Sequence, residues 1–529
     1  MPRARPKPIR RPPSRPKTAP PPVTPGTAPS PGRGSLFIAA AALLVPVALC
    51  LSRLNLDLWY DEAYTIEAYV SLGFRGIVKT YDGPNNHVFY SLILRPFYLL
   101  SDSNVVLRLP SLLFSVTTLL LVWKLAARHV SSAAAVPAVL WLGLNQMFLN
   151  HTMQIRGYSL SMCLAAALFA YAVRRSIRCR WFVHGAAIAG MALLLFTLPT
   201  NLLFLAPLCA AALVNVWIAR RRAGAVVSEA IRWASGATLA VLFYAPILRN
   251  ILLQRRERDD WGEGVRTLVR VIDVASRDAP WLWIAAALGL LGWWLRVRRD
   301  RPPRFLVWPI ALALAGFGPF LVQSAMRLQI PYDRVFCPVL PFWALTGGWL
   351  LWEILETLRR ALPRPFPQAG AALIGGLVLA AALLPRVLTY PARLAAVRDE
   401  SFAQDGYYCY YSADFYPSRV VACLHGILRK DRSYVVTWDR RGYYTLRHYF
   451  HRAGLPREWF NYDQAGRCLA EVYFVVPKLA VLEDVSEKCG APREDLQQAE
   501  EIANLGFYHV FRVRRLVPVI HGSLPPPEQ

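Results

Sequence analysis

Apolar stretches of about 17–22 residues recur along this chain of 529 residues, and each is long enough to cross the ~30 Å hydrocarbon core of a bilayer as a helix. A segment inside a bilayer must satisfy its own backbone hydrogen bonds, so repeated stretches of this length favour a bundle of membrane-spanning α-helices. The composition agrees, because 55% of the residues are apolar and only 18% are charged. We predict about eleven transmembrane helices, near residues 35–52, 105–123, 132–149, 157–173, 181–197, 200–218, 233–250, 280–295, 305–323, 335–355 and 368–385.

Positive charge is distributed along these stretches in a regular way. Lys and Arg total 60 against 34 Asp and Glu, a formal net charge of +26. Such a charge alone would suggest a nucleic-acid partner, but the high apolar content excludes a disordered, nucleic-acid-coating chain, and we predict no such partner. If the first span runs outward, the basic hinges between spans all fall in the cytoplasm, as the positive-inside rule requires. These hinges are Lys124–His129, Arg174–Arg180, Arg220–Arg222, Arg296–Arg304 and Leu358–Arg360.

The two ends of the chain differ from the apolar middle, residues 35–385. Residues 1–34 combine Pro and basic residues with no acidic residue, which predicts a disordered basic cytoplasmic tail. An odd number of spans then places residues 386–529 outside the cell, and loop 254–278 is assigned to the same side despite its six arginines. The C-terminal segment is predicted to form a small extracytoplasmic α/β domain. Its signals are the strand-like runs Ser433–Trp438, Glu471–Val476 and Phe507–Val513 and the helical run Gly442–Ala453.

Four cysteines lie in this C-terminal segment. In an oxidising compartment an even set permits two disulfides in any of three connectivities, and four separate thiols are the alternative. The sequence has no CxxC or Cys/His spacing typical of zinc, so we predict no metal site of that kind. The four residues are Cys409, Cys423, Cys468 and Cys489.

The first outer loop, residues 53–104, is long and unusually polar. Asp61 and Glu62 follow the first span closely, which would place two carboxylates near the membrane surface. A carboxylate in such a position suits a general base, and two solvated acids at a helix end are the alternative. The next run, Ala63–Val78, has apolar residues on roughly one helical face and predicts a helix lying in the membrane interface.

A polar turn completes this loop. A Gly-Pro turn is followed by two amides and an imidazole, which together are dense in hydrogen-bonding groups. Single Asn or His residues at such places usually form turns, but a cluster opposite an acidic pair predicts a polar pocket. The candidates are Asn85, Asn86, His87 and Tyr90.

Five short motifs follow one another in a characteristic order over residues 35–385. They are Trp59-Tyr60-Asp61-Glu62-Ala63, Asn86-His87-Val88-Phe89-Tyr90, Arg108-Leu109-Pro110-Ser111, Gln154-Ile155-Arg156-Gly157-Tyr158-Ser159 and Tyr332-Asp333-Arg334-Val335-Phe336-Cys337-Pro338. In this order the chain resembles the GT-C membrane glycosyltransferases. The nearest branch contains the protein O-mannosyltransferases, the aminoarabinose transferases and the lipopolysaccharide-core galacturonosyltransferases. The C-terminal domain resembles no family.

The resemblance implies an enzyme of the cell (inner or plasma) membrane that uses a polyprenyl-phosphate sugar as donor. The acceptor would be a cell-envelope glycan, lipid or protein, and membrane lipid would surround the site. By the same resemblance Asp61 would be the general base, and Glu62 would orient the acceptor or a divalent metal cation, the one cofactor considered. Asn86 and His87 would contact sugar or phosphate.

The leaving phosphate needs cationic stabilisation, and guanidinium groups match its geometry. Arg108, Arg156 and Arg334 are the candidates, and interface arginines that reach for water are the alternative for each. The full set expected to bind substrate is Asn85, Asn86, His87, Tyr90, Arg108, Arg156, Tyr158, Tyr332 and Arg334.

Two other functions compete with this hypothesis. A transporter or flippase of a lipid-linked sugar would place ionisable groups near the bilayer midplane, often on broken helices in repeated halves. Here the polar groups lie at the ends of predicted spans, on one face. A non-catalytic scaffold would leave the polar first loop unexplained. Aromatic runs at 407–411 and 440–444 fit either stacking on sugars or packing in a core.

Overall fold

The structure is a computed structural model of the chain. It describes residues 33–81, 83, 85–174, 180–253, 262–276, 282–297, 306–330, 332–361, 368–396, 416–428, 433–437, 440–455, 471–477 and 497–514. The predicted basic tail and the aromatic run at 407–411 therefore lie outside the described residues, apart from the last two residues of the tail.

Helices make up most of the described chain. Three short 3-10 helices accompany them, at Val70–Leu72, Pro199–Asn201 and Asp333–Val339. The α-helices are α1 (Arg33–Leu51), α2 (Tyr60–Ala68), α3 (Gly73–Lys79), α4 (Val88–Leu100), α5 (Asn104–His129), α6 (Ser132–Gly143), α7 (Gln146–Thr152), α8 (Tyr158–Ala172), α9 (Trp181–Thr197), α10 (Leu202–Arg220), α11 (Ala223–Tyr244), α12 (Leu248–Leu253), α13 (Glu263–Ser276), α14 (Leu282–Val297), α15 (Val307–Ala325), α16 (Leu340–Ala361), α17 (Gln368–Ala396), α18 (Pro417–His425) and α19 (Arg440–Arg452).

The protein is a multi-pass membrane protein. Within the described residues five helical segments are long and apolar enough to cross a bilayer, and a bent pair of helices makes a sixth. Every predicted span overlaps one or two helices, but several of these helices are shorter than a full crossing or run into residues that are not described. Eleven spans therefore stays a prediction. The five segments are Asn104–His129, Pro199–Arg220, Ala223–Tyr244, Val307–Ala325 and Asp333–Arg359.

The predicted span at 132–149 is broken. α6 and α7 meet at 64°. The side chain of Asn145 accepts the backbone N–H of Phe148 at 3.2 Å and so caps α7, while its amide donates to the Ala275 carbonyl at 2.9 Å. α6 alone, with 12 residues, reaches only about 18 Å. The predicted span is therefore a bent pair of helices, because the capping Asn145 starts a new helix after α6.

The helix predicted over Ala63–Val78 is also divided. α2 ends at Ala68, and α3 begins at Gly73, whose φ of +78° breaks the helical path. The polar turn is followed by α4, a helix that the sequence patterns did not predict. In another part of the chain, loop 254–278 contains the amphipathic helix α13. The first outer loop thus consists of three short helices instead of one.

The C-terminal domain contains a four-stranded sheet, and its α/β class is as predicted. β1 (Ser433–Thr437) pairs in parallel with β2 (Glu471–Pro477) across α19, which forms a βαβ crossover. β4 (Tyr508–Arg514) pairs antiparallel with β2 and with β3 (Glu500–Asn504), an edge strand not predicted, so the order is β1-β2-β4-β3. Cys423, in α18, is a free thiol within the described residues, and the two disulfides stay a prediction. Its three candidate partners lie outside the described residues.

The C-terminal domain packs on the first outer loop. One hydrophobic cluster contains Leu58, Ala63 and Ile66 from the loop together with Leu446 and Phe450 of α19. A second, larger cluster is formed by the membrane helices. The domain and the first loop therefore share a core on one side of the molecule.

Candidate functional site

The short helix α2 places two acidic side chains on different neighbours. Its first turn contains Asp61 and Glu62, where carboxylates stabilise the positive end of a helix. The Trp59 backbone N–H donates to Glu62 Oε2 at 2.9 Å and fixes the start of the helix. Adjacent residues of a helix point about 100° apart, so the two carboxylates meet different groups.

Asp61 lies between two arginines that come from distant parts of the chain. Arg156 Nη1 is 2.6 Å from Asp61 Oδ2, and Arg334 Nη2 is 3.1 Å from the same oxygen. Arg156 lies in the turn between α7 and α8, and Arg334 lies in the 3-10 helix before α16. The Asp61 side chain is 8% exposed. The two guanidiniums and the one carboxylate together carry a net charge of +1.

His87 adds a further hydrogen-bond donor beside this group. Its Nδ1 accepts the Gly157 N–H at 2.8 Å, so the neutral ring carries its proton on Nε2. Burial, followed by the charges of Arg156 and Arg334, holds the pKa of His87 well below its usual value, which keeps the ring neutral. Nε2 lies 3.3 Å from Arg156 Nη2, so two donors stand side by side. This arrangement suits an oxygen-rich anion.

Two tyrosines support the arginines. The Arg156 guanidinium lies 5.0 Å from the centre of the Tyr158 ring, and Arg334 lies 4.4 Å from that of Tyr332. The Tyr158 ring also meets His87 edge-on at 5.0 Å. Such cation–π contacts orient an arginine without neutralising it. Tyr332 is half-exposed, and it is the outermost of the predicted site residues.

Glu62 and Arg108 form a separate, closed ion pair. Glu62 accepts from Arg108 Nε at 3.1 Å and Nη2 at 2.9 Å, and from the N–H groups of Trp59 and Ile155, each at 2.9 Å. These bonds use both oxygens of a carboxylate that is 1% exposed. The expected role for Glu62, orienting an acceptor or a metal, does not fit this geometry. We infer that the role of Glu62 is structural.

The N–H donors of Arg108 are likewise used in contacts within the protein. It is fully buried and donates to backbone carbonyls of the segment that enters α2. The expectation that it binds phosphate does not fit, because its donors face carbonyls and Glu62. The carbonyls belong to Arg53, Leu54, Leu56 and Asp57.

The remaining predicted residues hold the loop together. Asn86 Nδ2 donates to the Thr80 carbonyl at 2.7 Å, and Asn85 Nδ2 donates to the backbone carbonyl of Asp61 at 3.3 Å. The Tyr90 hydroxyl bonds Ser111 Oγ at 2.5 Å in the core. These three side chains satisfy backbone or core groups, as turn formers do.

Sequence reasoning missed His151 and the pair formed by Arg270 and Asp333. The His151 ring is buried 5.7 Å from the Tyr158 ring, and Arg270 Nε of α13 lies 3.3 Å from Asp333 Oδ1. His151 lies in a run that looks like membrane span, so no sequence signal distinguishes it. Among the described residues no group of three or more His, Cys, Asp or Glu could hold a metal ion.

Comparison with solved structures identifies the fold. ArnT from Cupriavidus metallidurans, bound to undecaprenyl phosphate, matches with a TM-score of 0.50 and 14% identity, covering 93% of this chain and 99% of ArnT. The apo state of ArnT matches equally well, with a TM-score of 0.50, 14% identity and coverage of 91% and 98%. The chain has the fold of ArnT. The GT-C resemblance inferred from the motifs is thereby confirmed at the level of the fold.

A more distant likeness is to the archaeal oligosaccharyltransferase AglB from Archaeoglobus fulgidus, in complex with an inhibitory peptide and a dolichol-phosphate. Its TM-score is 0.45 at 12% identity, covering 90% of this chain and 74% of AglB. No family model and no curated protein sequence matches the chain.

Proposed function

We propose that the protein is an inverting glycosyltransferase that moves a sugar from a polyprenyl-phosphate carrier to an acceptor hydroxyl at the outer face of the membrane. The observation that carries this proposal is the buried Asp61 carboxylate held between Arg156 and Arg334. A base and an excess of positive charge in one site are what transfer from a phosphate leaving group requires. The ArnT likeness, to a structure bound to undecaprenyl phosphate, supports the donor class.

Before the donor binds, the arginines neutralise the base. When a phosphate enters, Arg156 and Arg334 would transfer hydrogen bonds to its oxygens, since guanidiniums pair with phosphate in two-pronged geometry. His87 Nε2–H would donate to the same phosphate. The phosphate would then accept from both His87 Nε2–H and Arg156 Nη2–H, two donors that lie 3.3 Å apart and repel each other without an acceptor. Asp61 Oδ2 then becomes available to an acceptor. Donor binding would therefore activate the base.

The chemical step follows from these positions. Asp61 takes the proton of the acceptor hydroxyl, and the acceptor oxygen attacks the anomeric carbon from the face opposite the phosphate. The bond from the anomeric carbon to the phosphate oxygen breaks, and its electron pair leaves with polyprenyl phosphate. Arg156 and Arg334 stabilise that charge. Direct attack of this kind inverts the anomeric configuration.

The side chains present do not fit a divalent metal cation. The oxygens of Glu62 are occupied by N–H donors, and Asp61 faces two positive charges. Metal ions of this class prefer several free carboxylate or carbonyl oxygens. No step of the proposed mechanism passes through a metal.

Protein reconstituted in vesicles that contain cell-envelope acceptors, and supplied with a panel of polyprenyl-phosphate sugars, tests the proposal. We expect release of polyprenyl phosphate with one donor class, and a loss of release in Arg334→Gln. Wild-type protein that releases none from any donor, yet moves the intact lipid across the bilayer, would contradict the proposal and favour a flippase.

A further inference from the structure

The segment that leads into α2 is tied to the C-terminal domain. The Tyr449 hydroxyl of α19 accepts the backbone N–H of Leu58 at 2.7 Å. The Asn104 amide lies 3.4 Å from the same hydroxyl and donates to the Leu56 carbonyl at 3.2 Å. Arg452 Nη1, also of α19, donates to Asn104 Oδ1 at 2.7 Å. These bonds fix the backbone just before Asp61.

The far end of α2 is tied to the same helix. Glu67 lies 3.6 Å from Arg447 Nε and 3.4 Å from His448 Nδ1, with its side chain 3% exposed. Between the two ends the Tyr444 ring meets the Tyr64 ring edge-on at 4.5 Å. Tyr64 and Glu67 are three residues apart, so they share one helical face. That face of α2 is covered by α19.

A third contact comes from α18. Asp57 Oδ2 accepts the Ser418 N–H at 2.8 Å, in the first turn of that helix, where a carboxylate satisfies an unpaired backbone donor. The apolar side of α2 packs into the cluster shared with α19. Asp61 and Glu62 alone turn away, toward the membrane helices.

α2 depends on these contacts for its position. It has nine residues, and helices shorter than about 12–15 residues are marginal without tertiary packing. A displacement of about 1 Å at a reacting group can cost on the order of a hundredfold in rate. Whatever holds α2 in place therefore also sets the geometry of Asp61.

We propose that α19 is a positioning element of the catalytic site, with Tyr449 and Glu67 as the positioning residues. The inference rests on the proposed role of Asp61 as base. It goes beyond the two sequence-based alternatives for the aromatic run at 440–444, stacking on sugars or packing in a core. The domain is instead part of the active-site scaffold.

Tyr449→Phe tests the first contact, because it removes the acceptor for the Leu58 N–H and keeps the ring. We expect kcat to fall about fivefold or more, the equivalent of one lost hydrogen bond, while KM for the donor changes by less than about twofold. The matched control is Tyr473→Phe in β2 of the same domain, whose hydroxyl donates to Glu471 Oε2 at 3.0 Å. It should leave kcat unchanged. Equal losses in both variants, or none in either, would overturn the proposal.

Glu67→Arg tests the second contact. It should lower kcat in the same way, and the double variant Glu67→Arg/Arg447→Glu should restore it, whereas a merely destabilised protein would not recover. The control is Glu501→Gln, which removes one negative charge from this domain at an exposed pair between Glu501 of β3 and His509 of β4. Failure of the swap to restore any kcat would count against positioning by this pair.

Hydrogen exchange gives a readout that does not depend on transfer. Amides of residues 57–68 should exchange about fivefold faster in Tyr449→Phe and at the wild-type rate in Tyr473→Phe. Faster exchange in Tyr449→Phe, found together with a wild-type protein that releases no polyprenyl phosphate, would support the contact and reject the proposed function. Unchanged exchange together with normal transfer would reject the positioning role alone.

Discussion

At the scale of single residues, neighbouring acids have different roles because their partners differ. Asp61 forms ion pairs with two arginines, whereas the oxygens of Glu62 accept from Arg108 and from two backbone N–H groups. The sequence singled out both, and only the family resemblance gave them different roles. The distinction arises from arginines that lie 46 positions (Arg108 from Glu62) to 273 positions (Arg334 from Asp61, 334 − 61) away in the sequence.

Asp61→Asn should abolish sugar transfer, since an amide cannot take the acceptor proton. General-base catalysis of this sort contributes about 10²–10⁴-fold. The variant keeps the size of the side chain, so membrane insertion and donor binding should persist. Polyprenyl phosphate release by reconstituted protein is the measurement, and full activity would reject Asp61 as the base.

Glu62→Gln should act on folding instead. It leaves buried Arg108 without its counter-charge, and breaking a buried pair costs about 3–5 kcal/mol. We expect a lower Tm and a poor yield of folded protein in detergent, with the remaining folded fraction still active. A normal Tm with activity lost would return Glu62 to the catalytic group.

His87 should make stability depend on pH. Its pKa is lowered by burial and by the two arginines, so below about pH 6.5 the unfolded chain binds a proton that the folded protein does not. Stability should fall with decreasing pH, by at most ~1.4 kcal/mol per pH unit from this residue. His87→Gln should flatten the dependence of Tm on pH between 5 and 7, and His425→Gln, at an exposed position, should not. Identical slopes in all three proteins would contradict the assignment.

At the scale of elements, breaks in helices create the site. The α6–α7 bend and the turn before α8 bring Arg156 to Asp61, and Gly157 allows His87 to approach this turn. A Cβ built on Gly157 would lie 2.8 Å from His87 Nδ1 and 2.5 Å from Thr197 Cγ2. The turn therefore has no room for a side chain at residue 157.

Gly157→Ala should lower transfer by displacing the His87 ring and the Arg156 turn. We expect a loss of about tenfold or more, since displacements below 1 Å suffice. Gly185→Ala in α9, where the added methyl meets nothing within 4 Å, is the control. Rates of polyprenyl phosphate release for the two variants decide the point, and equal rates would show that the turn tolerates the methyl.

At the scale of the whole molecule, the contact between α19 and α2 links topology to function. A domain that touches the first loop must lie on the same side of the membrane, so the chain between residues 104 and 416 crosses an even number of times. If the chain has eleven spans, the first lies before residue 104 and the other ten lie between residues 104 and 416, which satisfies this condition. The contact supports the proposed extracytoplasmic position of the C-terminal domain.

A reporter fused after Gln529 tests this topology. We expect an extracytoplasmic signal, together with a cytoplasmic signal from a reporter inserted in the basic hinge at 296–304, where positive charge accumulates. A cytoplasmic signal from the C-terminal fusion would overturn the span count and remove the domain from the site.

The sequence by itself determined that the chain crosses a membrane many times, and it predicted one polar site that held Asp61, His87, Arg156 and Arg334 together with Glu62, Arg108 and others. Length and apolarity of a span are local properties, so sequence alone reveals them. The breaks at Asn145 and Gly73 escaped it, because an apolar run looks the same whether straight or bent. Tertiary structure alone decided that Glu62 and Arg108 neutralise each other and that α19 covers α2. Those facts depend on contacts between residues up to 391 positions apart, and no local pattern encodes which buried charge meets which partner.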